Sequence, residues 1–248
     1  MTQVITSRQN GRIQQLRKLL SSRKERQNAG LFVADGIKLL DEAVRWCPGL
    51  ETVVLTEGVE VTLPDSVEIL RVSPQIMEYV SPMQTPQGAL FICRMPKQTV
   101  FSPKAGMLLL DGIQDPGNLG TILRTADALE VPVVLLEGCA DPYSHKVVRA
   151  SMGAVFRTNV VQSSWQTVLS ACREANIPIG VTAFSPRAED IRCAQLGAMA
   201  VVIGSEGQGV RQEILAQADR ELIIPMNARC ESLNAAIAAT IVMWQMKL

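Results

Sequence analysis

Histidine is almost missing from this 248-residue chain, and His145 is the only one. A Ser-His-Asp triad would have to be built on that single imidazole, and no G-x-S-x-G nucleophile elbow occurs. Multi-histidine metal sites are excluded outright. The six cysteines, at 47, 93, 139, 172, 193 and 230, lie far apart, which fits neither a zinc ribbon nor a disulfide scaffold. They read as reduced thiols of a cytoplasmic protein. No apolar run approaches the length of a membrane span, and the N-terminal residues lack the apolar core of a signal peptide. Net charge is zero, which argues against an indiscriminate nucleic-acid binder. With no triad and no metal expected, any reactive group is expected to come from a cofactor. His145, within Tyr143-Ser144-His145-Lys146, reads as a surface or capping residue.

What is present is apolar sequence in quantity, 47% of residues, enough to bury a sizeable core. The chain divides near residue 100. Short strand-like runs at 31–33, 52–55, 68–72 and 89–93 alternate with helical patterns such as Ile13, Leu16, Leu19 and Leu20, which indicates a small α/β domain over 1–95. The stretch 96–104, bracketed by prolines and basic residues, reads as a linker. Over 105–248 strand candidates recur at 107–111, 133–136, 158–161, 178–182, 200–203 and 221–224, several as continuous apolar runs typical of buried parallel strands. The predicted architecture is a doubly wound, mostly parallel α/β sheet with its ligand site beyond the carboxyl ends of the strands.

Charge is unevenly spread. Residues 1–26 carry Arg8, Arg12, Arg17, Lys18, Arg23, Lys24 and Arg26 against the single acid Glu25. Such asymmetry suggests an anionic partner, but taken alone the run reads first as a solvated helix face.

Three blocks in the second half carry the chemistry. After the strand ending at Asp111, an apolar face of Leu119, Ile122, Leu123 and Ala126 predicts a helix from near Asn118, with Arg124 on its other side. Val201-Val202-Ile203 empties into Gly204-Ser205-Glu206-Gly207-Gln208-Gly209, a glycine-rich loop of the kind that lets backbone approach a nucleotide-like ligand. Its G-x-x-G-x-G spacing does not match the dinucleotide fingerprint, so a dehydrogenase reading is weak. Ile224-Pro225-Met226 follows, and then Glu231-Ser232-Leu233-Asn234 opens a helix of small and apolar residues. Read alone, Asn118 is a helix cap, Arg124 a solvated charge and Ser232 an N-cap.

In order and spacing, the three blocks resemble the three motifs of the SpoU/TrmH branch of the knotted SPOUT RNA methyltransferases. The N-terminal part is more weakly similar to the ribosomal-protein-like RNA-binding domain of that family, on Ile5-Thr6-Ser7, Asn10 and Phe32-Val33-Ala34-Asp35-Gly36. One departure is Asn227-Ala228-Arg229, where many relatives carry a glycine.

The resemblance implies S-adenosylmethionine as methyl donor, held in a C-terminal trefoil knot by Thr182, Ala183, Gly204, Ile224, Met226 and Leu233. It implies a ribose 2′-hydroxyl of RNA as acceptor, positioned and polarised by Arg124, with Asn118, Glu206, Ser232 and Asn234 orienting Arg124 and the nucleotide. It further implies no metal, no membrane, a homodimer through the C-terminal domain, and RNA contact by Arg8, Arg12, Arg17, Lys18, Arg23 and Lys24. Ribosomal RNA is favoured by the separate N-terminal domain. A tRNA target, a resistance-type methyltransferase, and a non-catalytic RNA-binding or assembly factor stay open.

Overall fold

The order of polar breaks and apolar runs becomes two α/β units in a computed structural model that describes residues 4–97, 99–227, 229–230 and 232–248. Residues up to Lys97 cluster with Asp141–Arg157, and the rest of the chain forms the second unit.

In the first unit, α1 (Gly11–Ser21) starts at Asn10, whose side chain accepts from Arg12 N, and it buries Ile13, Leu16 and Leu19 on one face. Ser22 caps α2 (Arg23–Ala29), which Gly30 ends at φ 66°. Then come β1 (Leu31–Asp35), α3 (Ile37–Trp46), β2 (Leu50–Thr56), β3 (Glu68–Val72), α4 (Pro74–Val80) and β4 (Ala89–Arg94). The sheet order is β1-β4-β2-β3, with β2 and β3 parallel and the other pairs antiparallel. Alternation along β1 sends Phe32 and Ala34 into a core with Leu39, Leu40 and Phe91. Val33 goes the other way, into a core with Ile13, Leu16, Ile76 and Leu90.

The second unit begins with β5 (Met107–Leu110), α5 (Pro116–Leu129) and β6 (Val133–Leu135). The chain then gives α6 (His145–Ala150) and α7 (Ala154–Arg157) to the first unit. Tyr143, Val148 and Val155 join the core of Phe32 and Phe91, with the rings of Phe32 and Tyr143 5.2 Å apart. Arg26, 5% exposed, binds Asp141 through Nε at 2.8 Å and Nη2 at 2.6 Å. The run 105–248 is therefore interrupted, because these apolar side chains are buried in the first unit. Helical periodicity reports a buried face but not which sheet buries it.

The second unit resumes with β7 (Val161–Gln162), α8 (Trp165–Glu174), β8 (Ile179–Thr182), β9 (Glu189–Asp190), β10 (Ala200–Ile203), α9 (Gln212–Leu215), β11 (Arg220–Ile223) and α10 (Ala235–Gln245). Seven strands run in the order β7-β6-β5-β10-β8-β11-β9, and every pairing is parallel. Met107, Leu109, Val181 and Val202 pack with Trp165, Leu169 and Ile214 on one face, and α10 packs on α5 and β10 on the other. No helix among the described residues is long and apolar enough to cross a membrane.

Several expectations need correction. The short β9 had no signal in the sequence, and β7 lies later than 158–161. Helix α5 starts at Pro116 rather than near Asn118, because Asp115 Oδ1 accepts from Asn118 N at 2.8 Å and is the cap. The last helix starts at Ala235, and its cap is Asn234, whose side chain accepts from Ala236 N and Ile237 N, rather than Ser232. His145 is half-buried inside the first turn of α6, which Ser144 caps. Glu231, Ala228 and Gln98, named above in the third block, the departure and the linker, lie outside the described residues.

Candidate active site

Four strands that are neighbours in the second sheet, β5, β10, β8 and β11, present their carboxyl ends side by side. Except for Thr182, which ends β8, and Asn118 and Arg124, which lie on α5, the residues expected at the donor and acceptor site sit on the loops leaving them. In a parallel sheet the crossovers return on the faces, so this edge is where loops can converge on a ligand.

The three blocks meet at one carboxylate oxygen. Glu206 Oε1 accepts from Asn118 Nδ2 at 2.7 Å, from Asn234 Nδ2 at 2.7 Å and from Ala235 N at 3.0 Å. Asn234 Nδ2 also donates to Asn118 Oδ1 at 2.9 Å. The amide of Asn234 has little choice of orientation, because its oxygen accepts Ala236 N at 3.0 Å and Ile237 N at 3.2 Å. Its capping role thus aims its nitrogen at Glu206. The result is a triangle of two amides around a carboxylate, its corners from the first turn of α5, the loop after β10 and the N-cap of α10.

On one side of the triangle lies a cavity of about 250 Å³, walled by Thr182, Ala183, Gly204, Ile224, Met226 and Leu233 and extended by Phe184, Ile203, Ser205 and Ala238. The structure gathers all six residues expected to hold the cofactor, and Ser232 joins them. Thr182 Oγ1 is occupied by Val202 O at 3.1 Å and Ala183 N by Leu222 O at 2.9 Å, so these two residues offer the cavity shape rather than free donors. Gly204 answers a packing need different from ligand approach. A Cβ there would come within 2.1 Å of the Gly209 carbonyl carbon and 2.3 Å of Val210 N. The loop closes on itself by the Ser205–Gly209 bridge, with Gly209 at φ 66°.

On the other side is a polar cleft of about 560 Å³ lined by Asp111, Gln114, Asp115, Asn118, Glu137 and Gln208. Ser205, Glu206, Gly209 and Ala235 border both spaces. Arg211, which sequence reasoning missed, ties the glycine-rich loop to the end of β5. Its backbone N and Nε reach the buried Asp111 at 2.9 and 2.6 Å, Nη2 reaches Glu137 at 2.8 Å and Nη1 reaches Glu213 at 2.8 Å. Burial pulls Glu137 upward, but hydrogen bonds from Arg211 and Trp165 N outweigh it and leave its carboxyl below the ordinary value. The available signal was an acid closing the first strand and an arginine just past the glycine loop, a hundred positions apart.

A family model described as the SpoU rRNA Methylase family matches residues 106–244. The chain belongs to that family. A second model, the MRM3-like substrate binding domain, matches residues 10–90 of this SpoU methylase. The 23S rRNA (guanosine(2553)-2′-O)-methyltransferase RlmP of Bacillus subtilis is 31% identical to it, over 98% of this chain and 98% of its own. The AdoMet-bound rRNA methyltransferase from Sinorhizobium meliloti superposes with a TM-score of 0.85 at 26% identity, covering 99% of this chain and 97% of that one. The SpoU methyltransferase AviRb from Streptomyces viridochromogenes, in complex with AdoMet, gives a TM-score of 0.84 at 25% identity, covering 96% and 97%.

Within this SpoU methylase, Arg124 stands apart from the triangle. Six residues along α5 place it about 9 Å up the axis and about 120° around from Asn118. It is exposed and lines a groove of about 570 Å³ with Thr121, Thr125, Thr240, Ile241 and Trp244. The six cations expected to meet RNA also divide. Arg12 is paired with Glu68, while Arg23 and Lys24 are exposed on α2. Arg8, Arg17 and Lys18 are exposed on or beside α1.

Proposed function

We propose that this SpoU methylase transfers a methyl group from S-adenosylmethionine to a ribose 2′-hydroxyl of ribosomal RNA. The observation that carries the reading is the Asn118–Glu206–Asn234 triangle, which separates an apolar cavity from a polar cleft at the carboxyl edge of one parallel sheet. A neutral adenine asks for apolar walls and backbone polar groups, and Gly204, Ile224, Met226 and Leu233 supply these. When bound, S-adenosylmethionine supplies a methyl group activated on a sulfonium.

The chain's own residues do the rest. Asn118 and Asn234, fixed by Glu206, orient the acceptor nucleotide from the cleft, and Ser232 lends a hydroxyl at the cavity rim. Orientation of this kind supplies a large share of the rate of a bimolecular displacement. Arg124 positions and polarises the 2′-hydroxyl; a guanidinium is always protonated, so its service is electrostatic. Among the described residues the Arg124 side chain has no hydrogen bond or ion pair of its own.

The reading includes a homodimer through the second unit. It is supported by the α5–α10 groove beside Arg124 and by Ile237 and Trp244, which are 52% and 59% exposed on α10. It includes a C-terminal trefoil knot, supported by the insertion of β10 between β5 and β8. It also places the enzyme in the cytoplasm with its RNA. The test is transfer of labelled methyl groups into purified 23S rRNA, 16S rRNA and tRNA by wild type and Arg124→Ala. Arg124-dependent labelling of rRNA is expected. Labelling of tRNA alone would move the target, and failure to bind S-adenosylmethionine would leave only an RNA-binding role.

A further inference from the structure

The glycine-rich loop after β10 is closed on itself, but something has to aim it. Ser205 N donates to Gly209 O at 3.2 Å and Gly209 N donates to Ser205 O at 2.9 Å, so residues 205–209 form one closed turn. Its direction is set where the chain leaves it. Val210 stands there, buried in the core of the second sheet with Trp165 and Ile214, and Arg211 follows.

Every nitrogen of the Arg211 guanidinium is committed to a carboxylate of the protein: Nε to Asp111, Nη2 to Glu137 and Nη1 to Glu213. Asp111 directly follows β5. Glu137 lies just past β6 and also accepts Trp165 N, the first N–H of α8, at 3.1 Å. Strands β6, β5 and β10 are consecutive in the sheet, so one side chain ties the carboxyl ends of three neighbours. The Asp111 end of the tie is 1% exposed. Such a three-way tie suits the rigid planar fork of arginine and not the single ammonium of lysine.

The same bonds show what Arg211 is not placed to do. It is the only cation among the described residues that line the polar cleft, where a phosphate would otherwise seek it. Its fork is already matched by Asp111 and Glu137, whose charges oppose a further anion. We propose that Arg211 is a positioning residue for methyl transfer, aiming the closed loop so that Glu206 meets Asn118 and Asn234, without itself touching RNA; the proposal rests on the functional reading above.

The effect reaches a backbone group that Arg211 does not bond. Ala235 N, at the start of α10, donates to Glu206 Oε1 at 3.0 Å. A loop that swings away takes this acceptor with it and frees both asparagine amides. Misplacing a reacting group by about 1 Å costs about 100-fold in rate.

The test combines steady-state kinetics on ribosomal RNA with amide exchange at Ala235, measured by NMR on the full chain. In Arg211→Ala, kcat is expected to fall about 10- to 100-fold, with KM for RNA within about threefold of wild type. Exchange at Ala235 is expected to quicken about tenfold while the circular dichroism stays unchanged. Arg211→Gln keeps a nitrogen at the Nε position for Asp111, and it is expected to lie between Arg211→Ala and wild type in both readouts. Glu137→Gln weakens one exposed arm without stranding Asp111, and about a two- to fivefold loss of kcat with faster exchange is expected; it carries the test if Arg211→Ala does not fold. Unchanged exchange at Ala235 in both Arg211→Gln and Glu137→Gln overturns the proposal, as does a wild-type kcat in Arg211→Ala. A raised KM for RNA at wild-type kcat also overturns it, by making Arg211 an RNA ligand. Faster exchange in the variants of a protein that methylates no RNA keeps the positioning of Glu206 and overturns the functional reading.

Discussion

Removing Glu206 should separate orientation from cofactor binding. Its Oε1 holds two asparagine side chains and the first backbone N–H of α10, at 2.7, 2.7 and 3.0 Å. Hydrogen bonds to a charged acceptor contribute about 1.5–3 kcal/mol each when buried. Glu206 is exposed, so water would satisfy the freed donors in part, and the loss that matters is the fixed direction of the two amides. We take a combined effect on the transition state of about 2–4 kcal/mol, which is about 30- to 1000-fold in rate. In Glu206→Ala, kcat for methyl transfer to RNA should fall by that factor, while calorimetry should find cofactor affinity within about threefold of wild type. Glu206→Gln keeps an acceptor oxygen without the charge, and about a tenfold loss is expected. A Glu206→Ala enzyme with kcat within threefold of wild type would refute the reasoning. So would a loss of cofactor affinity large enough to account for the whole rate effect.

Three other changes have defined outcomes. Gly204→Ala drives a Cβ into the Gly209 backbone, which cannot yield cheaply, so a cofactor affinity at least tenfold weaker by calorimetry is expected with the circular dichroism unchanged. Asp141→Asn leaves Arg26 buried beside a neutral amide, and urea unfolding should show a loss of about 3–5 kcal/mol, largely recovered in Arg26→Met/Asp141→Leu. The lone His145 should titrate by NMR below 6.5: burial lowers it first, the Leu20 carbonyl partly offsets that, and Lys146, Arg26 and Arg149 lower it further. Because the unfolded ring takes its proton near 6.5 and the folded ring only lower, stability should decline as pH falls through that window. His145→Asn should flatten the decline in melting experiments run between the two values.

Much of the second unit could be read from the chain because buried parallel strands leave continuous apolar runs, as Met107-Leu108-Leu109-Leu110 and Val201-Val202-Ile203 do. The loops that line the apolar cavity were legible as well, since the glycine loop and the segment around Ile224 follow such strands directly. The capping details were not. Asp115 and Asn118 are both plausible caps three residues apart, and only backbone geometry selects the former. The same holds for Ser232 and Asn234, where choosing Asn234 both starts α10 and directs an amide at Glu206. Pairs that join remote positions left no local trace. Arg26 meets Asp141, and Arg211 meets Asp111, through tertiary structure alone. The basic run over 8–26 looked uniform, yet Arg12 and Arg26 are neutralised internally while Arg8 and Arg17 share one tyrosine. Sequence shows the charges, and the fold decides which of them remain available.

The most direct test of the account is to locate the methyl group. Ribosomal RNA incubated with the enzyme and isotopically labelled S-adenosylmethionine would be digested to nucleosides and the label assigned by mass spectrometry. The account expects the label on the ribose, as a 2′-O-methyl nucleoside formed by wild type and strongly reduced in Glu206→Ala. Label on a base, or transfer that is indifferent to Glu206, would contradict it.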